Sequence, residues 1–224
     1  MKKEPLFTIT FAVITLSEMY ADLAEMPALV YLFKPLIVLS LILYSFRENK
    51  LNSQQQRWLV TGLVCALAGD VFLMIRSVDF FIPGLASFLL MQICYIIVFR
   101  KQITVSIFST RALATGLPFL VCACSLYLIL FNKLPDSIMQ IAVAIYALSI
   151  AVMAWLAVLR KPFGSSKSYV YVFVGAVLFM ISDSCIAIDK FLFDIPFRTV
   201  WIMGTYAAAQ YLIVTGLQKT KQTD

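Results

Sequence analysis

The sequence contains no histidine, which excludes a catalytic triad built on histidine and any zinc site with histidine ligands. It also lacks a Gly-x-Ser-x-Gly segment and a phosphate-binding loop, so neither a serine-hydrolase elbow nor a P-loop nucleotide site is expected. Charged residues make up only 13% of the chain, and no hydrophilic stretch is long enough to form a separate soluble domain. A single domain covering residues 1–224 is therefore predicted.

The five cysteines lack the spacing of metal ligands, apart from the short Cys122-Ala123-Cys124 segment, which we interpret as packing. All five fall in apolar stretches, where cysteine behaves as a small apolar residue. They give no evidence of an oxidising compartment. We expect neither a metal nor a cofactor.

Apolar residues form 62% of the chain, and the mean hydropathy is +0.91. Because soluble domains are only about 45–50% apolar, this composition is typical of a polytopic membrane protein. A run of about 20 apolar residues can cross a bilayer as a helix. The sequence predicts eight such helices, and hence an all-α transmembrane bundle, at about 6–24, 27–46, 57–76, 80–99, 112–131, 137–159, 168–188 and 197–217.

Lysine and arginine are distributed unevenly between the predicted loops. With the N-terminus placed inside, thirteen lie on the cytoplasmic side, and four lie on the other side: Arg76, Lys133, Lys190 and Arg198. This bias follows the positive-inside rule and predicts cytoplasmic N- and C-termini. The net charge of +6 therefore reflects orientation and contact with membrane lipids, and it gives no reason to expect a nucleic-acid partner.

Two aspartates interrupt the apolar stretches in matched settings. Asp70 and Asp183 each follow a glycine by eight residues, and each is directly preceded by a small residue, Gly69 or Ser182. A carboxylate inside a bilayer is energetically unfavourable, so it indicates a functional site. The two predicted helices run in the same direction and place both carboxyl groups at similar depth. If these helices packed against each other, the two carboxyl groups would come together.

Two neighbouring carboxyl groups in an apolar interior do not both ionise readily, so one of them should remain protonated near neutral pH. Identical side chains then supply an acid and a base, which suits the hydrolysis of ethers, acetals or peptides. The same pair suits a proton-coupled carrier. The residues alone leave these alternatives open.

Other polar side chains also fall within the predicted helices. Lys34 precedes Pro35, whose ring removes a backbone donor and frees a carbonyl, so we interpret this lysine as directed at a carboxylate or a lipid phosphate. Glu18 belongs to an acidic helix end with Asp22 and Glu25. We favour an interfacial location for this end, although Glu18 lies deep enough to join a polar interior.

Two further helices carry polar pairs, Gln92 with Tyr95 and Tyr206 with Gln210, each pair on one helix face. Such pairs either join neighbouring helices by hydrogen bonds or take part in a site. The fifth and sixth helices, including Tyr146, carry no buried charge. We interpret their polar residues as packing and interface anchors.

Five short segments, taken in chain order, resemble those of one protein family. They are Lys34-Pro35, Gly69-Asp70, Phe88-x3-Gln92-x2-Tyr95-x3-Phe99, Ser182-Asp183 and Tyr206-x3-Gln210. The set is similar to that of the YhhN-type lysoplasmalogenases, which are eight-helix membrane proteins, and the resemblance covers nearly the whole chain. Members of known activity cleave the vinyl-ether bond of lysoplasmalogens, which releases a fatty aldehyde and a glycerophospho-ethanolamine or -choline. The resemblance implies a lysophospholipid substrate and a multi-pass location, expected to be a bacterial inner membrane.

The resemblance also implies roles for the residues of the set. Asp70 and Asp183 would act as acid and base, and Lys34 would hold the lipid phosphate or tune the pair. The side chains expected to orient water and glycerol hydroxyls are Gln92, Tyr95, Tyr206 and Gln210, and further candidates are Glu18 and Ser182. The family commonly has histidine where this chain has Gln92, and glutamine cannot carry a proton at physiological pH.

Two alternatives to this function stay open at the level of sequence. One is a proton-coupled transporter of a small molecule or lipid that uses the same aspartates. The other is a hydrolase that acts on another lipid-like substrate.

Overall fold

The computed structural model describes residues 3–75, 80–160 and 166–219. The described chain forms eight long helices: α1 Lys3–Leu23, α2 Pro27–Glu48, α3 Ser53–Met74, α4 Phe81–Arg100, α5 Thr110–Phe131, α6 Ser137–Leu159, α7 Ser166–Phe191 and α8 Thr205–Gln218. A short π-helical turn, Val200–Gly204, leads directly into α8.

With that turn counted as part of α8, each of these eight helices is long and apolar enough to cross a membrane. The prediction of an all-α bundle of eight transmembrane helices is therefore confirmed. The cytoplasmic orientation of the two termini stays a prediction.

Local capping explains where the helices begin. The third helix begins at Ser53 rather than near residue 57, because the Asn52 side chain accepts a hydrogen bond of 2.8 Å from the Gln55 amide and so satisfies one of the free donors of the first turn. The side chains of Ser109 and Asp136 cap α5 and α6 in the same way. Residue 76, the predicted end of the third helix, lies outside the described residues.

The closest helix pairs are α3 with α4 and α7 with α8. In each pair, a glycine lies in close contact with the neighbouring helix. A Cβ atom added to Gly175 would stand 2.9 Å from the backbone oxygen of Ala209, and one added to Gly62 would stand 3.0 Å from the Cβ of Cys94. The glycine that precedes each aspartate by eight residues therefore lets the following helix pack closely.

Candidate active site

Asp70, on α3, is 2% exposed. The Tyr206 hydroxyl of α8 donates a hydrogen bond of 2.9 Å to its Oδ2 atom. Lys34 on α2 and Glu18 on α1 are near enough to interact with it electrostatically. A buried carboxylate needs such partners, because an isolated charge in an apolar interior is strongly unfavourable. Four helices thus contribute to a polar cluster around Asp70.

Asp183, on α7, is half-buried. The Tyr146 hydroxyl of α6 donates to its Oδ2 atom at 2.5 Å. The preceding residue, Ser182, donates to the Ile202 carbonyl at 3.0 Å. This second bond joins the middle of α7 to the π-helical turn before α8.

The two aspartates therefore belong to different groups. The helices that pack extensively on α3 are α4 and α2, and those on α7 are α8 and α6, so the direct packing of α3 on α7 that would bring the two carboxyl groups together does not occur. A tyrosine partners each carboxyl group instead. Tyr146 packs in the core, as expected, but its hydrogen bond to Asp183 was not predicted. The signal that could have found this bond is general: a tyrosine hydroxyl inside an apolar helix needs a hydrogen-bond partner.

The other predicted polar side chains lie in the same interior. The Tyr95 hydroxyl donates to Gln210 Oε1 at 2.6 Å, which joins α4 to α8 one helical turn from Tyr206. Gln92 is fully buried, and its two amide heteroatoms make no hydrogen bond within the described residues. The Gln92 amide lies beside the Tyr146 hydroxyl and interacts with it. This amide is therefore placed to hold a water molecule or a substrate hydroxyl next to Asp183.

An apolar cavity, called the slot below, opens beside Asp183. It measures about 50 Å³ and lies between α3, α4, α6 and α7, and its lining includes Leu73, Phe81, Phe88, Val143, Tyr146 and Asp183. The Phe88 ring stands edge-on to Tyr206 with centroids 5.8 Å apart, and it lies over the backbone of Gly69. One aromatic ring therefore connects the slot to the Asp70 cluster.

A second apolar cavity, the lateral cavity, lies on the other side of the same pair. It measures about 90 Å³, is lined by Tyr146 and Asp183, and extends to Ala123 and Leu126 of α5. Since α5 is the most exposed of the eight helices, this cavity lies towards the lipid-facing edge of the bundle.

A wider polar cavity, the vestibule, lies where α1, α3 and α7 end. It measures about 460 Å³, and its charged lining includes Glu18, Asp22, Lys34, Asp189, Asp194 and Arg198. The side chains of Leu73, Phe81 and Ile186 line both the vestibule and the slot. A ligand with a charged end and an apolar end could therefore occupy both cavities at once.

The location of Glu18 departs from the favoured interfacial interpretation. Glu18 is 1% exposed, whereas Glu25, at the end of the same acidic run, is exposed. Because α2 packs along α1, the deeper part of α1 faces Lys34, which interacts electrostatically with Glu18. Glu18 therefore joins the polar interior, the alternative to an interfacial location, while the interfacial location of Glu25 stays a prediction.

Within the described residues, no three histidine, cysteine, aspartate or glutamate side chains come together as metal ligands. The chemistry that the arrangement permits is proton transfer. A carboxyl group paired with a tyrosine faces an apolar slot, the buried amide of Gln92 lies nearby, and a charged cavity adjoins the slot.

The helices and these cavities define a multi-pass integral membrane protein with carboxyl–tyrosine pairs in its interior. The chain belongs to the YhhN family, whose profile matches residues 29–217. This match confirms the resemblance found in the sequence.

Several similar proteins are named as lysoplasmalogenases. Lysoplasmalogenase TMEM86A of Bos taurus is 30% identical over 164 residues, which cover 72% of this chain and 65% of that protein. The lysoplasmalogenase of Mycobacterium tuberculosis is 29% identical over 164 residues, 73% of this chain and 61% of that protein. Human lysoplasmalogenase TMEM86B is 34% identical over 155 residues, which cover 68% of this chain and 59% of that protein.

The matched part of this chain thus spans 59–65% of the length of these three relatives. No solved structure matches the chain.

Proposed function

We propose that this protein hydrolyses the vinyl-ether bond of a lysoplasmalogen, a single-chain phospholipid in which the ether oxygen is attached to a carbon–carbon double bond. The observation that carries the proposal is the position of Asp183 and Tyr146, which line the apolar slot next to the charged vestibule. The similarity to proteins named as lysoplasmalogenases supports the same activity.

In the proposed reaction, the carboxyl proton of Asp183 passes to the double-bond carbon farther from the ether oxygen. The π electrons form the new C–H bond and leave an oxocarbenium ion, while the Tyr146 hydroxyl stabilises the carboxylate that remains. Water adds to the cationic carbon and returns a proton to Asp183, which gives a hemiacetal. The hemiacetal C–O bond to glycerol then breaks, the hydroxyl proton moves to the glycerol oxygen, and a fatty aldehyde leaves.

Gln92 is the residue that we assign to the attacking water. Its amide is fully buried and lies beside the Tyr146 hydroxyl, and neither heteroatom makes a close hydrogen bond within the described residues. A water held there could donate to the amide oxygen and accept from the amide nitrogen. Gln92 stands where the family commonly has histidine. In this chain the residue at that position therefore orients water and does not carry a proton.

Asp70 supplies the second carboxyl group of the proposal, in a different role from Asp183. It is almost completely buried and accepts a hydrogen bond from Tyr206, whose ring meets the edge of Phe88 at the slot. We propose that its negative charge, balanced by Lys34, helps to stabilise the oxocarbenium ion through the intervening apolar medium. Tyr95 and Gln210 hold the neighbouring part of α8 in place.

The cavities suggest how the lipid lies. The phosphate would interact with Lys34 in the vestibule, the vinyl ether would lie in the slot, and the chain would continue past Asp183 into the lateral cavity. The chain would then reach the lipid-facing side at α5, which gives the aldehyde a path into the bilayer.

The test is aldehyde release by purified protein in detergent, with a 1-alkenyl lysophosphoethanolamine lipid as substrate. The saturated 1-O-alkyl lipid of the same chain length is the matched control, since it has no double bond to protonate. We expect aldehyde only from the alkenyl lipid, and none from folded Asp183→Asn or Asp70→Asn protein. Glu48→Gln, which affects a surface ion pair with Lys50, should keep full activity.

Absence of aldehyde from well-folded wild-type protein would contradict the proposal. Full activity in the folded Asp183→Asn variant would contradict the assigned role of that carboxyl group.

A further inference from the structure

The vestibule contains two side chains of opposite charge, Glu18 and Lys34, which interact with each other electrostatically but form no close ion pair within the described residues. Glu18 is 1% exposed, lines the vestibule, and has an Oε2 atom that makes no hydrogen bond within the described residues. The ion pairs found in the described chain join Lys50 to Glu48 and Arg198 to Asp189, and Lys34 takes part in neither. A buried carboxylate without a hydrogen-bond donor is unfavourable, so Glu18 suits a ligand that brings a cationic donor. Lys34 is half-buried, and it suits a ligand that also brings an anion.

The other carboxylates of the vestibule differ from Glu18. The Asp22 side chain accepts a hydrogen bond from the Thr199 hydroxyl. Asp189 accepts from the Ile195 amide at 2.9 Å and from Arg198. Each of these two acids is therefore occupied by the protein itself, and the remaining one, Asp194, is exposed. Glu18 differs from all three, because its Oε2 atom is buried and has no hydrogen-bond donor within the described residues.

We propose that the vestibule binds a zwitterionic headgroup, a phosphodiester joined to a primary ammonium, and that Glu18 is the residue that selects the ammonium. The phosphate interacts with Lys34, and an ammonium N–H donates to Glu18 Oε2. A primary ammonium satisfies a buried acceptor because it carries N–H groups, whereas a quaternary ammonium offers only charge. The inference rests on the proposed function, since it names the headgroup of the same lipid.

The position of the vestibule fits this ligand. Leu73, Phe81 and Ile186 line the vestibule and the slot together, so a lipid whose headgroup occupies the vestibule places its first chain atoms beside Asp183. Headgroup recognition therefore also sets which atoms of the chain meet that carboxyl group. The protein then favours an ethanolamine headgroup over choline, and choline over a headgroup without an amine.

The experiment measures equilibrium binding of saturated 1-O-alkyl lysophospholipids to the purified protein in detergent. Three probes share one chain and one phosphodiester and differ only in the headgroup: phosphoethanolamine, phosphocholine and phosphoethanol. For wild-type protein we expect the ethanolamine lipid to bind about tenfold more tightly than the ethanol lipid. This is the size of effect expected when one lipid forms a hydrogen bond to a buried charged group and the other does not. Glu18→Gln should reduce this ratio to about one, and Glu25→Gln, which changes an exposed acid of the same helix end, should leave it unchanged.

Equal affinity of wild-type protein for the three probes would overturn the inference, and this comparison needs no variant to fold. A ratio that persists in folded Glu18→Gln protein would overturn the role of that residue. The saturated probes cannot release aldehyde, so the result is independent of the proposed function. A headgroup preference without hydrolysis of the alkenyl lipid would contradict the hydrolase alone, and hydrolysis without a preference would contradict the headgroup site alone.

Discussion

At the scale of single residues, tyrosine hydroxyls define the interior of this protein as much as the aspartates do. Asp183 receives its hydrogen bond from Tyr146 and Asp70 receives one from Tyr206. Phenol hydroxyls can donate to a carboxylate without adding a charge, which suits a site that must remain inside a bilayer. Each aspartate thus keeps a partner whether or not a ligand is present.

Gln92 is the residue for which a structural and a catalytic role make opposite predictions. Gln92→Leu removes two buried polar atoms that have no partner within the described residues, so we expect the variant to be about 1 kcal/mol more stable or unchanged. Aldehyde release should fall about tenfold or more, because the hydrogen bonds of the amide to the attacking water are lost.

The check is thermal unfolding and initial rate measured on the same preparation. Gln54→Leu, at an exposed position at the start of α3, serves as the control for adding an apolar side chain. A parallel loss of stability and activity in Gln92→Leu would show that the glutamine is a packing residue.

The sequence could identify most of these residues but not their partners. Asp70 and Asp183 are recognisable because a carboxyl group in an apolar stretch is rare. Tyr146 carries no such signal, since tyrosine is common in membrane helices both inside a bundle and at its surface. Which hydroxyl reaches which carboxyl group depends on the rotation of each helix, and every helix here is apolar on most of its surface.

At the scale of helices, the pairings α3 with α4 and α7 with α8 determine where the aspartates lie. Hydropathy alone predicts that each helix is present. For most helix ends, the predicted and observed positions agree within a few residues. Helix neighbours follow from close packing at small residues. The repeated glycine marked one close contact on each aspartate helix, but it did not identify the helix that makes the contact.

Gly175 tests the contribution of this packing. Gly175→Ala would place a Cβ atom 2.9 Å from a backbone oxygen of α8, so α7 and α8 would have to separate. We expect a loss of about 1–3 kcal/mol of stability, as for other overpacked interiors, and lower activity because Asp183 and Tyr206 lie on these two helices. Unfolding in detergent is the measurement.

Gly204→Ala is the matched control for this substitution. Its Cβ atom would approach no atom more closely than 3.7 Å, the distance to Met19 Cε. We expect its stability to be unchanged within a few tenths of a kcal/mol. Equal stability of the two variants would contradict the packing role of Gly175.

At the scale of the whole molecule, the vestibule lies at one end of the bundle, and the start of α1 and the end of α8 lie at the other. Its lining comes from the end of α1 and from residues just before α8, while α1 begins and α8 ends on the opposite side. The distribution of lysine and arginine predicts cytoplasmic termini. In that orientation the vestibule faces away from the cytoplasm, and the lipid headgroup would be taken from the outer leaflet.

Reporter fusions expressed in a bacterium test this orientation. A fluorescent protein fused to the C-terminus should fluoresce, and alkaline phosphatase fused there should be inactive. Alkaline phosphatase inserted in the α5–α6 connection, residues 132–136, should be active because that loop is expected on the other side. The reverse pattern would place the vestibule on the cytoplasmic side.

The central claim is that a carboxyl group of this protein protonates a vinyl ether at carbon. The most direct measurement is hydrolysis of a 1-alkenyl lysophosphoethanolamine lipid in deuterium oxide, with the aldehyde trapped at once as a hydrazone and weighed by mass spectrometry. The account predicts one deuterium on the carbon next to the aldehyde group with wild-type protein, and no product with folded Asp183→Asn protein. Absence of aldehyde from folded wild-type protein, or an aldehyde without deuterium at that carbon, would contradict it.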